Sequence, residues 1–312
     1  MALVFTLLSM LLTSASDIFE KKSVESSTED ALKTLVWYGI FNAILFCLAF
    51  FIGLGEASLL PHELILKNPV ILFSALLHYL CLLWALLAYK HLGVSVRNTF
   101  TNLDGIFFIV LLVLYHVLTG GARYATRLFE PHTVVGLILV IGAGIVYPNL
   151  RGNIVEKDSE NDHGLSVKSK AMVILGIGIA VISAFFDGAE SMVSSVLIGD
   201  EIVDSADYIC TMALIQVIIS FLVWVYLWVA DKEIYNPFKK TERNRYIGQG
   251  CSLLSDLFYV FALSEDALLG IILWNAFPVI DIVAARIFMK EKLTPAQYMT
   301  LGMMILGAVL FI

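Results

Sequence analysis

The fold class predicted by this sequence is an all-α integral membrane protein, with ten transmembrane helices arranged as two inverted five-helix repeats. Three observations carry the prediction. Of 312 residues, 59% are hydrophobic and only 15% charged, where soluble domains have about 45–50% and about 25%; mean hydropathy is +0.85. Apolar runs of the roughly 20 residues that cross a bilayer recur along the chain with only short polar breaks. The longest polar stretch, Arg151 to Lys170, falls near the middle, leaving five spans on either side. An odd number of spans per half inserts the two halves with opposite orientation.

Taken in order, the spans are read at 2–20, 31–54, 69–89, 94–118, 131–148, 171–198, 207–230, 246–263, 267–289 and 295–312. The first apolar run begins at Ala2 with no basic segment before it, so no cleavable signal is expected. Pro131 in "FEPHT" and Pro295 in "LTPAQ" each stand in the first turn of an apolar run, where the missing N–H of proline costs nothing. These matched starts make spans five and ten equivalent. The organisation predicted is a first repeat over 1–150, a polar loop over 151–170 and a second repeat over 171–312.

Several functional classes are excluded. Cys47, Cys81, Cys210 and Cys251 all fall inside apolar runs without metal-ligand spacing, so they read as small core residues, and no metal is expected. A net charge of −7 with scattered basic residues argues against a nucleic-acid partner. The sequence holds no phosphate-binding loop, HExxH, nucleophile elbow or Cys/His cluster. Neither an enzyme nor a cofactor is expected.

Charge sets the orientation. Of the 20 Lys and Arg residues, all but Lys67, Arg123 and Arg127 fall on one side of a ten-span chain, and that side is predicted to be cytoplasmic. Both termini then lie outside. The loop "GDEIVDSAD", with Asp200, Glu201, Asp204 and Asp207 and no base, becomes an outer loop able to concentrate cations, or simply a solvated one.

Ionisable residues inside spans are costly and point to function by default. The chain places Asp17 and Glu20 in span one, His78 in span three, Asp104 in span four, Asp187 and Glu190 in span six, Asp256 in span eight, and Asp281 and Arg286 in span nine. The stretches "SASDIFE" and "SAFFDGAE" put Asp-x-x-Glu on one helix face in equivalent spans of the two halves. Glu20, beside Lys21, is expected to be solvated or ion-paired, and Asp17, a turn deeper, to be the better ligand. Asp187 precedes Gly188, where a helix or substrate could approach closely. Ser252, Asp256 and Tyr259 recur at helical spacing as a polar stripe. His78 and Trp84 stand in the equivalent helix of the first half, Asn102 and Asp104 in "FTNLDGIFF", and Trp274 and Asn275 in "LWNAFPVID", where a proline frees carbonyls of the kind tolerated where backbone lines a cavity. The expected substrate site is therefore Asp17, His78, Trp84, Asn102, Asp104, Asp187, Glu190, Asp256, Tyr259, Trp274 and Asn275. Such a site suits a small cation or zwitterion: carboxylates attract the charge, Trp and Tyr faces add about 0.5–2 kcal/mol each, and a buried carboxylate could exchange a proton for the cation.

The C-terminal stretch "WNAFPVIDIVAARIFMKEKLTPAQYMTLGMMILGAVLFI" resembles the end of an EamA-type repeat of the drug/metabolite transporter superfamily, through Pro278, Glu291, Leu293, Thr294, Gly302 and Gly307. The match covers about 40 residues. The first half departs from it, with Asp104 roughly where span nine has Pro278. In the superfamily's small multidrug relatives the essential first-helix glutamate falls near Thr13, a turn before Asp17. The resemblance implies a secondary transporter with a central cavity between its halves and alternating access, in a bacterial inner (cytoplasmic) membrane. It also implies cytoplasmic termini, the reverse of the charge count. The expected function is secondary active transport of a small cationic or zwitterionic metabolite, with the bilayer as solvent and protons as a coupling ion. The rivals are export of neutral or aromatic amino acids and a non-transporting membrane scaffold or receptor.

Overall fold

A computed structural model describes residues 1–24, 28–52, 61–92, 97, 100, 103–121, 126, 128–149, 170–231, 234–274, 279–280 and 294–310. The described residues are helical without strands, in ten α-helices: α1 Ala2–Ser23, α2 Thr28–Ile52, α3 Pro61–Lys67, α4 Val70–Tyr89, α5 Asp104–Thr119, α6 Pro131–Asn149, α7 Lys170–Gly199, α8 Ser205–Asp231, α9 Arg243–Trp274 and α10 Pro295–Val309. Six stretches are long and apolar enough to cross a membrane, in α1, α2, α4, α7, α8 and around α9; those in α5, α6 and α10 are shorter. Leu7, Leu11, Leu72, Ile174, Phe221 and Leu222 are exposed on the outer faces. This apolar exterior is the pattern of a multi-pass membrane protein, whose backbone must satisfy its own hydrogen bonds.

Most predicted spans recur as helices within a few residues, and Pro131 and Pro295 open α6 and α10 as expected. Asp104 stands in the first turn of α5, and most of the predicted span before it lies outside the described residues. Two features differ. The seven-residue α3 occupies a predicted loop. Spans eight and nine meet inside α9, which breaks at Asp266, φ −157° and ψ 100°. There the Leu269 N–H donates to Asp266 Oδ1 at 3.0 Å, so Asp266 caps a new helical segment, and Gly270 packs back onto Ala262. Asp266→Ala is expected to lower stability by about 1 kcal/mol, the ordinary cost of losing a cap, read as a fall in melting temperature in detergent. The polar loop 151–170, apart from Lys170, and Pro278, Asp281, Arg286, Glu291 and Leu293 lie outside the described residues.

Packing is pairwise. α1 lies along α9, α4 along α7, α2 against α8, α6 against α10, and α5 against α7, with lesser contacts of α2 with α9, α4 with α8, α7 with α9 and α1 with α4. Polar and small residues hold these crossings, as apolar packing alone cannot distinguish helix from lipid. Between α1 and α9, Ser9 Oγ donates to the Ser255 carbonyl at 2.8 Å and Ser16 Oγ to the Gly248 carbonyl at 2.9 Å. Between α4 and α7, Ser183 Oγ donates to the Cys81 carbonyl at 3.0 Å. At the α2–α8 crossing a Cβ on Gly39 would fall 2.2 Å from Ser220 Cβ.

The two ends of the bundle differ in charge. Arg245 joins the end of α1 to the starts of α2 and α9, with Nη2 donating to the Ser23 carbonyl at 2.9 Å and to Asp30 Oδ1 at 2.6 Å, and Nη1 pairing with Glu242. The Tyr235 hydroxyl donates to Glu242 Oε2 at 2.7 Å, and Lys33 lies over its ring. Burial, reinforced by Glu242, pushes the Tyr235 hydroxyl up, so it remains a donor throughout the neutral range. Lys21, Lys22, Lys33, Lys239, Lys240 and Arg243 share this end. Asp200, Glu201, Asp204 and Asp207, between α7 and α8, lie at the other.

Candidate functional site

A cavity of about 100 Å³ lies between α2, α4, α7, α8 and α9. A water requires only about 10–15 Å³ measured this way, so several waters or a small solute fit. Among the described residues, its charged lining is Asp187, Glu190 and Asp256, with no Lys or Arg.

Each carboxylate has a distinct setting. Asp256, on α9, accepts from the Tyr38 hydroxyl at 3.0 Å, and His78 Nε2 stands 2.9 Å from that hydroxyl and 3.8 Å from Asp256 Oδ2. A phenol has one proton. With Tyr38 donating to Asp256, His78 must donate from Nε2, which sets its tautomer. The His78 ring stacks on Tyr38 with centroids 5.9 Å apart. The Asp256 side chain keeps 36% of its surface open, so a solute can reach it. Glu190 is only 6% exposed and accepts from Ser74 Oγ at 3.2 Å and from the Tyr208 hydroxyl at 2.9 Å, those two hydroxyls being 2.7 Å apart. Both bonds fall on Oε1 and tie Glu190 to α4 and α8 as a brace. Asp187 is half-buried on α7 between these two and within electrostatic reach of Asp104 and Arg97.

Aromatic groups close the apolar side. The Tyr259 and Trp274 rings lie 5.1 Å apart. The buried Tyr259 hydroxyl lies beside Ser191, which is within hydrogen-bonding reach though outside close geometry, so the pair offers a polar contact at the cavity wall.

Of the expected site, His78, Asp187, Glu190, Asp256, Tyr259 and Trp274 come together, and Asn102 and Asn275 lie outside the described residues. Trp84 is half-buried on α4 and does not line the cavity, and Ser252 of the predicted stripe is also absent from its wall. Asp17 is likewise elsewhere. It is 3% exposed and accepts from the Tyr89 hydroxyl at 2.6 Å and from Arg97 Nη1 at 3.1 Å, with the guanidinium 4.7 Å from the centre of the Tyr89 ring. Glu20 is neither solvated nor paired with Lys21: it is 4% exposed and accepts from Gln249 Nε2 at 2.6 Å, with Ser16 Oγ 2.9 Å away sharing its one proton between Glu20 and the Gly248 carbonyl. Lys21 instead donates to the Tyr89 carbonyl. The twin glutamates thus do matching work, Glu20 bracing α1 to α9 and Glu190 bracing α7 to α4. The twin aspartates part company: one is neutralised and the other faces the cavity.

Asp104 is buried at the head of α5, where its Oδ1 accepts from the Gly105 N–H at 2.7 Å. It touches the site through Gly188, whose missing Cβ would fall 2.5 Å from the Asp104 carbonyl oxygen and 2.8 Å from Phe108 N. The close approach anticipated at Gly188 is that of a helix. Gly188→Ala is expected to cost about 1–3 kcal/mol through overpacking, seen as a lowered melting temperature together with weakened solute binding at the adjacent Asp187.

Sequence reasoning missed Tyr38 and Asn42 on α2 and Tyr208 and Gln216 on α8. Each helix carries its polar residues four or eight apart on one face, the same signal that identified Asp256 and Tyr259.

No family model matches the chain, and no curated protein matches it in sequence. Among solved structures it is similar to one described only as the crystal structure of a protein, with TM-score 0.64 and 15% identity over 99% of this chain and 96% of that one. The likeness extends over the whole chain and concerns the fold alone.

Proposed function

We propose that this protein is a secondary transporter that carries a small cationic or zwitterionic metabolite through the carboxylate-lined cavity. The observation that carries the reading is the lining itself: three carboxylates, no Lys or Arg among the described residues, and aromatic faces from Tyr38, Tyr208, Tyr259 and Trp274. In a low-dielectric site an ammonium is attracted by the carboxylates far more strongly than in water and gains further from the rings. Asp256 is the primary contact, Asp187 the second, and the Tyr259 hydroxyl fixes the solute's orientation. A proton leaving Asp256 as the cation arrives would couple the two fluxes.

Ten spans in two inverted repeats, over 1–150 and 171–312, supply the architecture. Exchanging α1 with α7, α2 with α8, α4 with α9 and α6 with α10 turns the α1–α9 contact into α4–α7, α2–α9 into α4–α8 and α1–α4 into α7–α9, and leaves α2–α8 and α6–α10 unchanged. The contact of Met10 with Trp274 and Ile280 then answers that of α5 with α7. This correspondence supports a pseudo-twofold relation and, with the C-terminal motif, membership of the drug/metabolite transporter superfamily. Collection of the basic residues at the α1 C-terminal end supports an external N-terminus, and a bacterial inner membrane is the proposed setting.

The test is flux through a sealed bilayer. Purified protein in liposomes is expected to accelerate entry of ammonium-bearing solutes over neutral and anionic ones of like size. Preference for neutral amino acids would make the carboxylates structural or proton-coupling groups. Binding without flux would identify a receptor or scaffold.

A further inference from the structure

A second concavity, sharing no lining residue with the cavity, lies at the basic end of the bundle where the segment between α8 and α9 crosses α2. Its walls are aromatic. The Trp37 ring lies 5.8 Å from Phe238 and 5.6 Å from Tyr246, both edge-on. Phe238 and Tyr246 are 77% and 51% exposed, which is costly in water and favourable at the headgroup level of a bilayer, where Trp and Tyr concentrate. Its rim is basic, with exposed Lys239, Lys240 and Arg243. The acidic lining residue, Glu242, is already held by Arg245 and Tyr235. Trp37 is only 6% exposed and lines the groove, and its buried indole N–H has the Tyr235 hydroxyl oxygen within reach but no hydrogen bond in close geometry. The Tyr235 proton is donated to Glu242.

We propose that this groove binds the headgroup of an anionic phospholipid, with the phosphate at Lys239, Lys240 and Arg243, an ester or phosphate oxygen accepting from the Trp37 N–H, and an acyl chain along Phe238 and Tyr246. Charge selects the lipid: basic groups beside a membrane favour anionic over zwitterionic headgroups, and the aromatic wall favours a lipid over a free phosphate. The inference rests on the chain lying in a bilayer and not on its carrying a solute. A lipid bound here spans α2, the α8–α9 connection and the start of α9, all joined to the cavity through Tyr38 and Asp256.

The experiment is native mass spectrometry of the full chain in neutral detergent, titrated with phosphatidylglycerol, with phosphatidylcholine of the same acyl chains, and with glycerol 3-phosphate. The expected result is one phosphatidylglycerol retained with at least about tenfold preference over phosphatidylcholine, no retention of glycerol 3-phosphate, loss of the preference in Lys239→Gln/Lys240→Gln/Arg243→Gln, and weakened retention in Trp37→Phe. The three basic side chains are exposed, so the triple variant should melt as the parent does, and Trp37→Phe provides an independent reading. Equal retention of both lipids, full preference in both variants, or binding of glycerol 3-phosphate as tight as that of the lipid would overturn the proposal. Solute flux through the cavity is measured separately, so failure of either reading leaves the other standing.

Discussion

Liposomes carrying Asp256→Asn are expected to take up a cationic solute at least about thirtyfold more slowly at limiting concentration. That factor corresponds to about 2 kcal/mol, the lower end of the cost of truncating one partner of a buried charge pair. The substitution nearly conserves shape, and an asparagine oxygen still accepts from Tyr38, so the fold should be retained and the loss should appear as weaker binding. Of the three lining carboxylates Asp256 is the one with both an open surface and a single phenolic donor. Glu190 is tied to Ser74 and Tyr208, and Asp187 lies within the field of Arg97. Asp187→Asn should therefore have a smaller effect, and Glu190→Gln should appear mainly in stability. Unchanged cation uptake by Asp256→Asn would remove the charge argument for this cavity and leave the neutral-solute reading as the better one.

How much of this was legible in the sequence depends on the range of the interaction. Helix positions follow from apolar runs, a local property, so spans one to three and five to eight recur within a few residues. Pro131 and Pro295 located their starts because proline acts on its own turn. The break at Asp266 falls between predicted spans eight and nine, and its mechanism, an aspartate cap, is also local. The short α3 went unseen because seven residues carry too little periodicity.

Site membership was only half visible, for a different reason. A carboxylate in a span must be satisfied, but whether by solute or by protein is decided by helices far away in sequence. Asp17 and Asp187 look alike locally. Arg97, which separates their fates, is 80 residues from Asp17. Gln249, which holds Glu20, is 229 residues away. Tyr38, Asn42, Tyr208 and Gln216 carry the same polar-stripe signal, but a neutral polar residue costs a span far less than a charge and so points less sharply to function.

The Arg97–Asp17 pair carries the largest expected effect on stability. Arg97→Ala should destabilise the folded protein by about 3–5 kcal/mol, the cost of taking one partner from a buried ion pair, and lower its melting temperature in detergent by several degrees. Both side chains are nearly enclosed, at 11% and 4% exposure, so water cannot replace the guanidinium beside Asp17. The Tyr89 hydroxyl at 2.6 Å offsets part of the charge and keeps the aspartate in place. The same logic predicts non-additivity. In Arg97→Ala/Asp17→Asn the buried charge is gone along with its partner, and much of the loss should return, because neutralising both members of a buried pair costs far less than breaking it. Additive losses in the double variant would mean that Arg97 acts through packing on the Tyr89 ring and not through Asp17. Recovery would assign Asp17 to the scaffold that positions α1 against α4, and would leave the cavity's cation affinity to Asp256 and Asp187.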